Sequence, residues 1–514
     1  MEQNLIQEAP SKATRRDWIG LAVIAIPCLI YSMDLTVLHL AVPQISAEFK
    51  PSAAQLLWIV DIYGFMVAGA LVTMGTLGDR IGRRKVLLYG AAAFGAASAL
   101  AAAAPSAEML ILARALQGLA AASLAPSTLS LIRNMFLDDR ERTFAIGVWV
   151  ASFSAGAVIG PLFGGVLLTH FNWHSVFLIN VPIMALLLII GPTLLPEFRD
   201  PNAGRMDVAS AAQSLVAVLS IVYGMKRIAA DGVDVLAAGA ILVGLCIGWM
   251  FFRRQRRLAD PLIDVRLFAV PAFSAALIMN ILGLFMIMGM FLFIAQYLQL
   301  VVGMSPLTAG LFTAPAGVVF ACGSMMAPVL LRYFAPRSVV ACVLLISAIG
   351  FALLTQISAA SNPQSLLFIG MLVFCTGMAP VGAITTDLVM AAAPPERAGA
   401  ASAISETSFE FGGALGIAVL GSILTVVYRT SMEAALLPGV PTAMHEAASE
   451  TIGGAIAAAQ SLSAPAGREL LVVAHAAYTY AFEVTAAVST ACALLAAIVA
   501  GLMLPHFRLE HMAK

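Results

Sequence analysis

Seven ionisable side chains stand inside the long apolar runs of this 514-residue chain: Asp34, Asp61, Arg114, Asp387, Glu406, Glu410 and Glu483. A charge kept away from water is expensive and is normally retained for a task. Asp34, on an outward-running first segment, and Asp61 and Arg114, near the starts of inward-running second and fourth segments, reach similar depth. A carboxylate beside a guanidinium stays ionised and becomes free to take a proton when the guanidinium moves, so Asp34 is placed to exchange one. A permanent Asp34–Arg114 ion pair is the other reading. Glu406 and Glu410, four residues apart, share one helix face. Like charges that close titrate as a unit and share a proton. With the aromatics Trp58, Tyr63, Trp149, Phe153 and Phe409, such a pair suits a lipophilic organic cation, held by charge and by cation–π contact. Solvation at a mouth of the protein is the alternative for both glutamates. Asp387 and Glu483 lie nearer the ends of their runs, where water reaches them.

The elements that must position these groups are membrane-spanning helices. The chain is 61% hydrophobic and 11% charged with mean hydropathy +0.94, far from the roughly 25% charged residues of soluble proteins. It reads as an all-α polytopic membrane protein. Zero net charge argues against nucleic acid as a partner. The six cysteines, all in apolar runs, indicate neither a disulfide framework nor a metal site. The N-terminal MEQNLIQEAPSKATRRDW is too polar for a cleaved signal. Apolar runs of roughly 20 residues number about fourteen between residues 17 and 505. With an even number and a cytoplasmic N-terminus, only Lys50, Lys226, Arg227, Arg429 and Arg468 fall outside, Arg114 stays in the membrane, and every other Lys and Arg is cytoplasmic.

Between the second and third runs lies GTLGDRIGRRK, residues 75–85, too charged for hydrocarbon and therefore a tight cytoplasmic turn. A repeat is also visible. Gly156, Gly160 and Gly165 recur 256 residues later as Gly412, Gly416 and Gly421, each set following a Glu-Arg pair, Glu141-Arg142 and Glu396-Arg397. APVLLRYFAPRS, residues 327–338, is a faint second copy of the charged turn, without its acid. The expected organisation is a cytoplasmic segment 1–16, a six-helix bundle 17–195, two inserted helices with linkers at 196–270, a second six-helix bundle 271–505 and a cytoplasmic tail 506–514. Parallel repeats of this kind place substrate near the midplane between bundles. The Ala-rich segment 429–473, inside the second bundle, is the only long external loop and is expected to form a small cap. Pro161 and its flanking glycines allow the fifth helix to bend and slide against a neighbour.

The order Gly-x-Leu-x-Asp-Arg-x-Gly-Arg-Arg-Lys at 75–85 resembles the loop between helices 2 and 3 of the major facilitator superfamily of secondary transporters. SMDLTVLHLAVP (32–43), LILARALQGLAAA (110–122) and GAVIGPLFGG (156–165) are similar to the first-, fourth- and fifth-helix motifs of its fourteen-helix drug:proton antiporter family; NWHSVFLINVP (172–182) and YLQLVVGMSPLTAGL (297–311) are also family-like. The chain looks most like the QacA/SmvA-like branch of multidrug exporters, although LFTAPAGVVFACG in its tenth span lacks an acid often found there. The resemblance implies a major facilitator fold and proton-coupled efflux of quaternary ammonium compounds, biguanides and dyes. It implies proton coupling at Asp34 with Arg114, and cation binding by Asp34, Asp61, Glu406 and Glu410. It further implies a cytoplasmic gate at Gly75, Asp79, Arg80, Gly82 and Arg83, and an antiporter motif of Gly156, Gly160, Pro161, Gly164 and Gly165. No cofactor or metal is expected, protons being the coupling ion, and the expected state is a monomer in the cytoplasmic (inner) membrane with both termini cytoplasmic. A solute:proton symporter or importer on the same fold, or a transporter-like receptor, are the alternatives; an enzyme is not expected, since no ATP-binding loop, metal-ligand cluster or nucleophile elbow occurs.

Overall fold

A computed structural model describes residues 12–199, 207–231, 234–258, 261, 265–392, 398–435 and 440–504. Among these there is no strand. The first helices are α1 (Arg15–Phe49), α2 (Ala53–Ile81), α3 (Arg83–Ala102), α4 (Ala107–Ala121) with its continuation α5 (Leu124–Met135), α6 (Asp139–His170), and α7 (His174–Leu178) leading into α8 (Asn180–Leu194). Then come α9 (Val208–Asp231) and α10 (Val235–Gln255). The remainder are α11 (Pro271–Gln296), α12 (Pro306–Tyr333), α13 (Pro336–Leu354), α14 (Pro363–Ala392), α15 (Ala398–Glu433), the short α16 (Thr442–Glu450) and α17 (Ile452–Ser461), and α18 (Ala464–Met503). Thirteen helical segments among the described residues are long and apolar enough to cross a membrane. The place of the fifth expected span is taken by α6, whose 32 residues include the shorter apolar stretch Ile159–His170. The protein is a multi-pass, all-α membrane protein.

Local chemistry sets where the helices begin. Thr14 and Asp17 close a capping box on α1, and Ser52 and Gln55 close one on α2, so the first free N–H groups of each helix are satisfied where water thins out. Ser106 and Ser305 cap α4 and α12. The 35 residues of α1 extend roughly 50 Å at the usual rise, so both ends clear a ~30 Å hydrocarbon layer. At the end of the molecule opposite the 75–85 turn, α16 and α17 lie over the helix ends. There Tyr428 donates to the Ala448 carbonyl at 2.9 Å, Arg429 pairs with Glu450 at 2.9 Å, and Gly453 rests against Ser46 of α1.

The repeat becomes a packing rule. A methyl group on Gly156 of α6 would run into the Leu29 carbonyl of α1, and one on Gly160 into Thr36; on α15, Gly412 and Gly416 stand as closely on the Ile281 and Phe285 carbonyls of α11. The third glycine of each set crosses to the other half of the chain. Gly165 meets Leu307 of α12, and Gly421 meets Leu57 of α2. Close backbone approach of this kind is what small residues permit between spans. Along the same two seams Gly310 of α12 abuts the Pro161 carbonyl, and Gly64 of α2 abuts Ala414.

Helix α9 lies along the α2–α15 seam, where Leu215 faces Gly69 and Val222 packs with Phe65, Ala414 and Ala418. It is clasped to α10 at both ends. Arg254 holds Asp207 through Nε at 2.8 Å and Nη2 at 3.0 Å, and Arg227 holds Asp234 at 2.8 Å. The Arg254 hydrogen bonds keep the Asp207 carboxyl well below the usual carboxylate range. A depressed acid contributes fully above its ordinary pKa, and that contribution is lost only as pH falls through the lowered value, so this clasp persists at mildly acidic pH. Residues 1–11, Arg205, Glu396, Arg397 and the tail 506–514 lie outside the described residues, as do the side chains of Asp79, Arg140, Arg142 and Lys226.

Candidate functional site

Asp34 of α1 and Arg114 of α4 form a buried ion pair, with Nη1 to Oδ2 at 2.6 Å. The same nitrogen donates to Gln117 Oε1 at 2.8 Å, Gln117 Nε2 donates to Asp34 Oδ1 at 3.2 Å and to Ser98 Oγ of α3 at 2.9 Å, and Asn180 Nδ2 of α8 donates to Asp34 Oδ1 at 2.9 Å. The guanidinium also lies over the Tyr63 ring of α2, 4.4 Å from its centroid. Five helices thus supply one node. Taking two charges out of water is costly, and only pairing with further hydrogen bonds offsets the penalty; Asp34 has three donors for that purpose.

On the other half, Glu410 of α15 accepts a hydrogen bond from Tyr31 Oη of α1 at 2.6 Å. Tyr31 is the seventeenth of the 35 residues of α1, so Glu410 stands at the depth of that helix's middle rather than at a mouth. The Tyr31 ring joins an aromatic row: 5.6 Å from Phe153 and 6.1 Å from Tyr63 between centroids, with Trp149 4.7 Å beyond Phe153. The Trp149 indole N–H is taken by Thr128 Oγ1 at 3.0 Å, so its ring rather than its polar edge is what it offers. Glu406, one turn before Glu410, is half-buried. Asp61 is buried on α2, two residues before Tyr63.

Two of the expected aromatics have described contacts outside this row. Trp58 packs on the α2–α9–α15 cluster with Phe65 and Val222, and Phe409 lies against Gly382 of α14. Asp387 is exposed, and Glu483 accepts from the Ser358 N–H at 2.7 Å. Tyr31, Gln117's partner Ser98, and Asn180 were not singled out by residue type. Tyr31 stands three residues before Asp34, where a polar ring in an apolar run was the available signal.

At the charged turn α2 passes into α3 through the single residue Gly82, whose φ of 118° suits glycine and whose missing Cβ leaves room for the Glu197 carboxylate. Glu197 follows α8. It accepts from the Arg84 N–H at 3.1 Å and pairs with the Arg84 guanidinium at 3.6 Å, while Arg84 Nη1 donates to the carbonyls of Pro192 and Leu195 at 3.2 and 3.0 Å. The Arg83 N–H donates to the Phe198 carbonyl at 2.8 Å, and its side chain lies on Gly78 and reaches the Pro126 carbonyl at 3.5 Å. Gly75 faces Pro126 of α5, and Arg80 is exposed. The turn is therefore fastened to the end of α8 by Arg83, Arg84 and Glu197. Glu197, an acid on a face otherwise rich in Lys and Arg, was the residue the motif did not name. In the fifth-helix motif, Gly156, Gly160 and Gly164 (against Val37) line the α1 seam, and Pro161 and Gly165 the α12 seam.

Comparison with known proteins identifies this arrangement. Residues 24–417 match the Major Facilitator Superfamily. The chain is 43% identical over 498 residues to the multidrug efflux pump LfrA of Mycolicibacterium smegmatis, covering 96% of this chain and 98% of that protein. It is 35% identical to the methyl viologen resistance protein SmvA of Salmonella typhimurium, covering 95% and 98%. Among solved structures, a bacterial homologue of the human lysosomal transporter Spinster, inward-facing and unoccupied, superposes with a TM-score of 0.64 at 18% identity over 95% of this chain and 98% of that one. A D-xylose–proton symporter gives 0.59 at 16% identity over 95% and 97%. At those identities the structural likeness speaks for the fold alone. The chain belongs to the Major Facilitator Superfamily of transporters.

Proposed function

We propose that this protein exports lipophilic organic cations, among them quaternary ammonium compounds, biguanides and dyes, in exchange for protons by alternating access. The observation that carries the reading is the meeting of Glu410, from the second half of the chain, with Tyr31 and the Phe153–Trp149 aromatic row of the first half, beside the Asp34–Arg114 node. Carboxylates for charge and ring faces for a flat apolar body are the recognition chemistry of an aromatic cation. The names of the relatives support this: multidrug efflux for one, and resistance to methyl viologen, an aromatic dication, for the other. Asp34 is the coupling carboxylate. When it takes a proton, its hold on Arg114 weakens; when the proton leaves, the pair re-forms. Glu406, Glu410 and Asp61 select positive charge, and because each proton that neutralises a carboxylate removes its attraction for a cation, exchange follows from competition alone.

The remaining parts serve the movement. The 75–85 turn, with Asp79, Arg80 and Arg83, is the gate on the cytoplasmic side, and the α6–α12 and α2–α15 seams are the surfaces on which the two halves rock. In this reading the transporter is a monomer in the cytoplasmic membrane with both termini inside, needing protons and no cofactor. Reconstitution into proteoliposomes tests it. With a panel of monovalent and divalent organic cations at controlled pH, each transported cation should drive protons the opposite way. Protons moving with the cation would make it a symporter, and cation flux indifferent to a pH gradient would end the proposal.

A further inference from the structure

Tyr31 carries an inference that rests on the cation-export reading and goes beyond it. Its hydroxyl sits 2.6 Å from Glu410 Oε1, within the short range of a hydroxyl donating to an ionised carboxylate. The ring is fixed from two sides, edge-on to Phe153 and tilted on Tyr63, and the residue is buried. The donor is therefore aimed at Glu410 by packing rather than by chance rotation. The contact also joins the halves of the chain, α1 to α15. Nothing in the repeat calls for it: the position of α11 that corresponds to Tyr31 is Gly283.

We propose that Tyr31 is a specificity-determining residue that holds Glu410 by its hydroxyl and must be displaced from it by the cation. An organic cation approaching Glu410 has to outcompete a fixed phenol, which a small hydrated ion or a weakly basic neutral molecule does poorly. An aromatic cation offsets the lost hydrogen bond with full charge at Glu410 and with stacking on the Tyr31 and Phe153 rings. The same phenol returns to Glu410 as the substrate leaves, so it shortens the bound state on both sides of the cycle. Tyr31 thereby trades affinity for turnover.

This has a sign that ordinary loss of packing does not. In Tyr31→Phe the ring remains and only the competitor is lost. Rhodamine 6G, a fluorescent aromatic monocation, should bind the purified variant roughly tenfold more tightly at a single fixed pH, the low end of what one net hydrogen bond to a charged group contributes. In inside-out vesicles KM and kcat for the same dye should fall together. In Glu410→Gln the phenol has no carboxylate to occupy, so adding Tyr31→Phe to that variant should leave dye affinity unchanged. Weaker or equal binding by Tyr31→Phe, or the same gain in the Glu410→Gln background, would overturn the competitor role. Absence of rhodamine 6G binding by the wild-type protein, with tetraphenylphosphonium and methyl viologen failing to displace or replace it, would remove the cation reading and this proposal with it.

Discussion

The two halves of the chain share a scaffold and divide the charge between them. On the shared side, Thr128 of α5 gathers Cys28 of α1 (3.6 Å) and Trp149 of α6 (3.0 Å), and at the matching positions Asn280 of α11 gathers Thr385 of α14 and Ser405 of α15, the last at 3.1 Å. The glycine contacts that align α1 with α11 then place Met286 opposite Asp34, and the threonines that align the fourth helices place Met371 opposite Arg114 and Phe374 opposite Gln117. All three counterparts are fully buried apolar residues. One half thus holds an ion pair where the other holds methionines, while the second half places its carboxylates on α15, at the face that meets Tyr31. A parallel repeat supplies two equivalent hinges; function requires that the two sites differ. The buried pair of α1 and α4 and the carboxylates of α15 thus lie in different halves and are joined by the contact of Tyr31 with Glu410.

The largest expected effect comes from breaking the difference at its charged end. Arg114→Met makes the fourth helix resemble its counterpart but strands Asp34, a loss of about 3–5 kcal/mol. Adding Asp34→Met removes the stranded charge and should restore part of that stability, the remainder being the cost of leaving the buried Gln117 and Asn180 amides without their Asp34 acceptor. Neither protein should drive uphill export. Equilibrium or thermal unfolding in detergent reads the stability, and equal losses in single and double variants would mean that Asp34 does not depend on Arg114. Asp34→Asn should keep some cation binding yet lose proton-driven transport; full active transport would remove Asp34 from coupling.

Next in size is the carboxylate face. Glu406→Gln with Glu410→Gln should weaken divalent cations such as methyl viologen more than monovalent ones, by roughly tenfold or 1.4 kcal/mol, since the second positive centre loses its partner. In the wild type, cation binding should weaken as pH falls, because protonated carboxylates no longer attract charge. Equal losses for both substrate classes, or a flat binding curve against pH, would leave the glutamates as bystanders.

A smaller effect on affinity, with a separate effect on transport, tests the turn. Asp79→Asn should abolish transport with detergent affinity little changed, and Glu197→Gln should slow transport only severalfold, because its pair with Arg84 is partly exposed and such pairs contribute about 0–1 kcal/mol. A large affinity loss in either would place the turn in the binding site. The contrast with the second half is again instructive: there α12 ends at Tyr333 and α13 begins at Pro336, and the two helix ends that flank this turn have kept Arg332 and Arg337 without the acid.

Helix number, the repeat and the Asp34–Arg114 pair were legible because each is encoded by a strong local signal: apolar length, glycine register, or a charge where water is absent. The aromatic assignments were less legible. Trp58 and Phe409 look like partners of the acids by distance along the chain, but what a side chain meets depends on which helices pack beside it, and Trp58 packs on the cluster that α9 shares with α2 and α15. The partners Tyr31, Asn180 and Glu197 were hidden for a related reason. Each meets its target from a segment distant in sequence, and an uncharged or ordinary surface residue announces nothing until the helices are brought together.

The smallest expected effect tests the equivalence itself. Thr128 and Thr385 sit at matching points of the repeat, each buried and each bonded to residues of its own half: Thr128 Oγ1 to the Trp149 N–H, Thr385 Oγ1 to Asn280. Val replaces the hydroxyl with a methyl of nearly the same shape, so each substitution removes hydrogen bonding and little else. The stranded partner differs in kind, an indole donor in one case and an amide oxygen in the other, but both remain buried and neutral. Thr128→Val and Thr385→Val should therefore each cost about 1–2 kcal/mol of unfolding free energy, and the double variant should show the sum, since the nodes are in different halves. Transport should separate them. Thr128 holds Trp149, the far end of the aromatic row, so Thr128→Val should raise KM for aromatic cations, whereas Thr385→Val should leave KM alone. Equal KM changes would mean that the two nodes serve the same purpose, and that the division of labour between the halves begins only at the charged residues.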